Sequence, residues 1–177
     1  WRCIYKNNKY SDKKLNPRIL QFPLGIKFSE DRIFNLYAFG QANKISYIKE
    51  AYYNRYMNKK SAVHRFHEDY FEAYKKAAKE IEKALERAWG NEEEYQAAYL
   101  QQLVSGALMA ICNYYYRTST FKRKERKLAV ERICSDIILR EAIGKIGDIN
   151  RQTRWIIENK SNLLILYAKM SNWKHGR

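Results

Sequence analysis

Phe22-Pro-Leu-Gly-Ile-Lys-Phe-Ser-Glu-Asp-Arg-Ile-Phe34 is the stretch on which the reading of this chain turns. Two acids, Glu30 and Asp31, stand at its centre, flanked closely by Ile26, Phe28, Ile33, Phe34 and Leu36. Ser29 precedes them as a residue able to cap a helix, and acids suit the positive end of a helix dipole. The spacing predicts a helix over 30–41, with Ile33, Leu36 and Tyr37 on one face and Gly40 near its end. A charged first turn accounts for the acidic pair without further purpose. A carboxylate held at a helix entrance is also a group that proton transfer can use.

Before this stretch, Trp1, Ile4 and Tyr5 anchor a short buried segment, and residues 6–18 read as a polar, basic loop. After it, residues 44–48 alternate weakly and carry β-branched and aromatic side chains, which predicts a strand. Residues 51–57 are rich in Tyr and predict a second. Beyond Ser61 the pattern changes to helical spacing. Phe66, Tyr70, Tyr74, Ala78, Ile81, Leu85 and Trp89 recur at steps of three and four over 64–89, closed by Gly90. A second helix is expected over 92–117 and a third over 121–143, with Val130, Ile133, Ile137 and Ile138 inward. One or two more follow from about 149, where Trp155, Ile156, Leu163, Leu166, Tyr167, Met170 and Trp173 repeat close to heptad spacing.

The 177 residues are 46% hydrophobic, enough for one core or a small domain with an appendage. Lys and Arg number 34 against 19 Asp and Glu, a formal +15 that favours anionic partners. The excess is +9 over residues 1–60 and +8 over 118–177, with −2 between them. Cys3, Cys112 and Cys134 have no metal-ligand spacing, and the latter two read as reduced core residues, which suits a cytoplasmic protein. No apolar run reaches the roughly 18 residues of a membrane span.

Six pieces occur in a telling order: Trp1-Arg-Cys-Ile-Tyr-Lys, Phe22-Pro-Leu-Gly-Ile, Glu30-Asp-Arg-Ile-Phe, Asn43-Lys-Ile-Ser-Tyr-Ile, Ala51-Tyr-Tyr-Asn-Arg-Tyr and Asn58-Lys-Lys-Ser. This order resembles the second half of the catalytic domain of bacterial family 2 glycosyltransferases, which build capsule, exopolysaccharide and lipopolysaccharide sugars. The resemblance covers residues 1–61. It implies an α/β fragment there, the end of a GT-A type domain, followed over 62–177 by an all-α extension, so that the chain is predominantly helical overall. It also implies inverting transfer from a nucleotide-sugar donor to a saccharide or lipid-linked acceptor. Asp31 is then the base, and Glu30 orients the acceptor or the neighbouring backbone. Arg32, Tyr53, Arg55 and Tyr56 are the implied substrate contacts. Where the family has Tyr-x-Tyr-Arg, this chain has Tyr53-Asn-Arg-Tyr56, an exchange that sends Arg55 to the opposite strand face. A solvated strand Arg accounts for Arg55 equally well.

In that family an Asp-x-Asp motif holds a divalent metal, Mg or Mn, and the nucleotide. This chain contains no Asp-x-Asp and no Gly-rich phosphate loop. The resemblance places them upstream of Trp1, so the chain is expected to be a piece lacking the donor half and inactive by itself. His64 and His67 share a helical face beside Glu68 and Asp69. In some related enzymes a His after the acidic motif completes the metal site, which makes His64 a candidate ligand; an ordinary polar first turn explains the pair too. The tail joins Lys122-Arg-Lys-Glu-Arg-Lys to Trp155, Tyr167 and Trp173. Basic plus aromatic is the footprint of an interfacial helix, here directed at an anionic membrane surface on the cytoplasmic side. Packing of those aromatics on the other helices is the competing explanation. Arg154-Trp155 is similar to part of the Gln-x-x-Arg-Trp motif of processive synthases, but Arg151 stands in the Gln position, which points to a non-processive enzyme. The alternative to a transferase is a basic helical module that binds nucleic acid or serves as an adaptor. No zinc spacing or RNA-recognition motif accompanies the charge, so nucleic acid is the weaker expectation.

Overall fold

The computed structural model describes residues 21–47, 49, 65–90, 92–146 and 150–176. Within them run seven helices: α1 (Glu30–Gly40), α2 (Tyr70–Ala88), α3 (Glu93–Tyr114), α4 (Arg123–Ser135), α5 (Ile137–Lys145), α6 (Arg151–Ile157) and α7 (Ser161–Lys174). The α2–α3 pair is the hub. The three-and-four spacing of α2 turns Tyr70, Tyr74, Ala77, Ala78, Ile81 and Leu85 inward. α3 is apolar over much of its circumference and is accordingly packed on several sides, against α2, α4, α5 and α7. Its small residues Gly106, Ala107 and Ala110 let neighbouring helices come close, and Gly106 faces the ring of Tyr74.

Two buried clusters result. The larger joins α2 through α7 around Leu103, Ile111, Val130, Ile133, Leu139, Ile143, Ile156 and Leu164. The smaller seats α1 on α2 through Ile33, Ile81, Ala84 and Leu85. α1 and α2 approach so closely at their C-terminal ends that a Cβ on Gly40 would lie 2.6 Å from the Cβ of Ala88. Two buried amides fasten backbone to this core. Asn113 accepts from His67 N–H at 2.9 Å and donates to Arg65 O at 2.8 Å. Asn172 donates to Cys112 O at 2.9 Å. Cys112 and Cys134 are buried thiols, as expected, and burial pushes the Cys134 thiol up to about 11.

The expected α/β fragment is overturned. No strand occurs among the described residues, which form a helical bundle. Residues 44–47, read as strand, run without regular structure. β-branched and aromatic side chains favour a strand only where its backbone finds a partner, and none lies beside this segment among the described residues. Residues 51–57, the other expected strand, and the buried segment expected at 1–5 lie outside the described residues. The predominantly helical character does hold.

The single helix expected over 121–143 is two. Asp136 takes an extended conformation between α4 and α5, and its Oδ1 accepts from Leu139 N–H at 2.9 Å, capping the new helix. Its other oxygen meets Lys75 Nζ at 2.7 Å. Desolvation pulls the Lys75 ammonium down, but hydrogen bonds to Asp136 and Glu72 outweigh it and its pKa is raised. The restart resets the helical phase. Leu139, Ala142 and Ile143 turn inward, whereas Ile137 and Ile138, expected inside, are 71% and 55% exposed.

The tail forms two helices, joined where Asn159 takes a positive φ of 53°. Its near-heptad series divides between two faces. Of that series Ile156 enters the core, joined by Leu164 and Ala168 from outside it, and Trp155 and Tyr167 pack against the core, whereas Leu163, Leu166, Met170 and Trp173 face outward. Among the described residues no helix is long and apolar enough to cross a membrane.

Candidate functional site

The segment that delivers Glu30 and Asp31 is tied to α2 at several points. Gly25, with φ +72°, turns the chain, and its carbonyl accepts from Lys76 Nζ at 3.1 Å. Lys27 pairs with Asp69 at the start of α2. The Phe28 ring lies 4.6 Å from that of Tyr70 and meets His67 edge-on at 5.3 Å. α1 then starts at Glu30, where the spacing placed it. The expected Ser29 cap is absent. Ser29 takes a left-handed conformation, φ 62°, and makes no side-chain cap.

Glu30 and Asp31 occupy the first turn of α1, and both are exposed. Asp31 Oδ1 accepts from Arg32 N–H at 2.7 Å, which orients the carboxylate, and its other oxygen has no hydrogen-bond partner among the described residues. The Arg32 guanidinium donates to Gln102 Oε1 on α3, and Gln102 Nε2 reaches Tyr74 OH. Burial raises the pKa of the Tyr74 phenol, opposed by the charge of Arg32 and the bond to Ser29. Arg32, an expected substrate contact, is thus held by the bundle beside the acidic pair. Sequence reasoning missed Gln102 and Tyr74 as its partners, since nothing in local spacing links residue 32 to residues 74 and 102. Among the described residues the Glu30–Asp31 turn is exposed, with an oriented carboxylate and, on the next residue, a guanidinium held by Gln102. Such a pair can accept a proton and hold an anion or a hydroxyl-rich molecule.

Tyr53, Arg55, Tyr56 and His64 lie outside the described residues. His67 is in view, and its ring is engaged with Phe28 and Tyr70. Asp69, the nearby acid, is committed to Lys27. Among the described residues no group of three or more His, Cys, Asp and Glu could hold a metal ion.

The Lys27 hydrogen bond holds the Asp69 carboxyl below its ordinary value of 3.8, against the opposing effect of desolvation. A depressed folded-state pKa contributes stability above the unfolded value, and that contribution is lost as pH falls through the folded one. Asp69→Asn is therefore expected to cost at most about 1 kcal/mol near neutrality, because the pair is half exposed. The difference from wild type should vanish in melts at about pH 2. A difference that persists there contradicts the ion-pair account.

Comparison with known proteins found no match for this chain among family models, curated proteins or solved structures.

Proposed function

We propose that this chain supplies the acceptor-side part of a glycosyltransferase similar to family 2. It serves transfer from a nucleotide-sugar donor to a saccharide or lipid-linked acceptor, at the cytoplasmic side of a membrane. The reading draws on the six ordered sequence pieces. One structural observation carries it further: Glu30 and Asp31 open α1 at the expected residue, exposed, with Asp31 oriented by Arg32 N–H.

In the proposed reaction the acceptor hydroxyl oxygen attacks the anomeric carbon of the donor and gives its proton to the free oxygen of Asp31. The bond from that carbon to the nucleoside diphosphate breaks, and the diphosphate leaves with the electron pair. Glu30 positions the acceptor. Arg32, with Tyr53, Arg55 and Tyr56, is proposed to contact the substrates. The divalent metal and nucleotide site belong to the donor-side portion of such an enzyme, and no step here is assigned to them.

One displacement inverts the anomeric centre. Product formed by a transferase carrying this segment should show the configuration opposite to the donor's, read by the anomeric proton coupling in NMR. Retained configuration contradicts a lone carboxylate base.

The helical bundle favours a second reading, a basic binding module or adaptor, with exposed Lys122, Arg123, Lys124 and Lys127 on or beside α4 as its cations. Salt titration separates the two. A nucleic-acid module binds DNA or RNA at low salt and loses affinity steeply as salt rises. Absence of polynucleotide binding at low salt removes that form of it.

A further inference from the structure

α7 is apolar on two sides. At roughly 100° per residue, Leu164, Ala168 and Asn172 fall together on the side that enters the bundle. Leu163, Leu166, Met170 and Trp173 fall within one sector on the outer side. There Leu166 is 55%, Met170 61% and Trp173 83% exposed. A helix apolar on opposite faces needs cover on both. The outer sector, with Trp155 of α6 and Tyr167 of α7, lines an open groove of about 580 Å³.

The surroundings of this groove are cationic. Arg151 and Lys174 also line it. By the same angular reckoning, Lys169 and Lys174 stand on the two borders of the apolar sector. Arg154 and Lys160 add exposed charge, and Glu158, the single acid between residues 150 and 176, is paired with Lys160 at 2.7 Å.

We propose that this face docks the chain on an anionic lipid bilayer, with α7 lying in the plane of the headgroups. The proposal does not depend on the transferase reading. Charge complementarity selects the occupant. A second copy would bring the same cations to the groove on a chain of formal charge +15, and the two would repel. A polynucleotide stacks a base on Trp173 but offers no apolar phase to Leu166 and Met170. A bilayer accepts the apolar strip below its headgroups while anionic lipids on either side meet Lys169 and Lys174. The exposed indole of Trp173 suits the interface between the two zones.

The test is partitioning of the whole chain onto vesicles of phosphatidylcholine alone and of phosphatidylcholine with phosphatidylglycerol. Binding to the anionic vesicles is expected to be about tenfold or more the stronger. The double variant L166S/M170S keeps the net charge and alters exposed side chains, so circular dichroism and melting should match wild type. Its partitioning should fall about tenfold or more. Lipids brominated along the acyl chain should quench tryptophan fluorescence less in W173F than in wild type. Four results overturn the proposal. The first is L166S/M170S bound as well as wild type, which makes net charge alone responsible. The second is vesicles of both kinds ignored or bound equally. The third is a dimer in sedimentation that L166S/M170S abolishes, which makes this face a contact between copies. The fourth is a soluble acidic amphipathic helix occupying the groove in a chain that ignores vesicles.

Discussion

Asp31→Asn is expected to slow sugar transfer by about 10²–10⁴-fold, the usual contribution of a general base. The substitution isolates one property. Asn has nearly the shape of Asp, and its carbonyl can still accept from Arg32 N–H as Asp31 Oδ1 does at 2.7 Å. It removes one of the two charges in the first turn of α1, which costs about 0.3–1 kcal/mol of helix-dipole stabilisation. α1 itself is retained by Ile33 in the α1–α2 cluster and by Trp89 Nε1–H donating to Leu36 O at 3.0 Å. The protein should therefore remain folded and bind donor as before, having lost only its proton acceptor. Single-turnover rates, donor titration and a thermal melt on a transferase carrying this segment check the three parts. Unchanged turnover removes Asp31 from the base role. Lost donor affinity would assign it to donor binding instead.

Gly106→Ala should destabilise the bundle by about 1–3 kcal/mol, the usual cost of forcing a methyl group into a packed core. In an exposed helix the same change is favourable by up to about 1 kcal/mol, because Gly is the poorer helix former. The opposite sign is expected here because a Cβ at residue 106 would overlap the ring of Tyr74. That ring has little room to yield. It is stacked parallel to Tyr70 at 6.2 Å, lies 6.5 Å from Phe28, and its hydroxyl is held by Gln102. For a chain of this size the melting temperature should fall by roughly 2–12 °C. A double-mutant cycle identifies the cause. With Tyr74→Ala in the background, Gly106→Ala should become neutral or stabilising. A stabilising Gly106→Ala in the wild-type background would contradict the close approach of α2 and α3.

Long apolar series with clear endings were legible before any coordinates. Tyr70 to Leu85 gave its helix because burial along α2 follows the three-and-four spacing, whereas along α3 burial widens to the consecutive residues Ala110 to Tyr114 where several helices pack on it. The start of α1 at Glu30 was legible from the charge step there, although Ser29 fulfils that position without capping. The break at Asp136 was not. Its cap on Leu139 N–H is local, but the ion pair that holds its other oxygen reaches Lys75, sixty-one positions away, and one restart sufficed to turn Ile137 and Ile138 outward. The strand at 44–47 failed for a related reason, since side-chain preference cannot supply a backbone partner. The buried amides of Asn113 and Asn172 were illegible too, because a lone Asn in an apolar series carries no sign of the carbonyl or N–H it will meet.

At the candidate site the acidic pair was visible from its neighbours in the chain. What holds Arg32 beside it was not, because Gln102 and Tyr74 arrive from α3 and α2. The outer face of α7 lay hidden within a single apolar list. Its separation from the core face needed the direction in which α7 packs.

The central claim is that a sugar acceptor comes to the first turn of α1. The most direct measurement is NMR of the side-chain carboxyl carbons, with Glu30 and Asp31 assigned, during titration with saccharide acceptors. The account predicts that these two carboxyls shift together and saturably, and that Asp31→Asn leaves the Glu30 shift in place. An acceptor that binds while both carboxyls stay unmoved contradicts it.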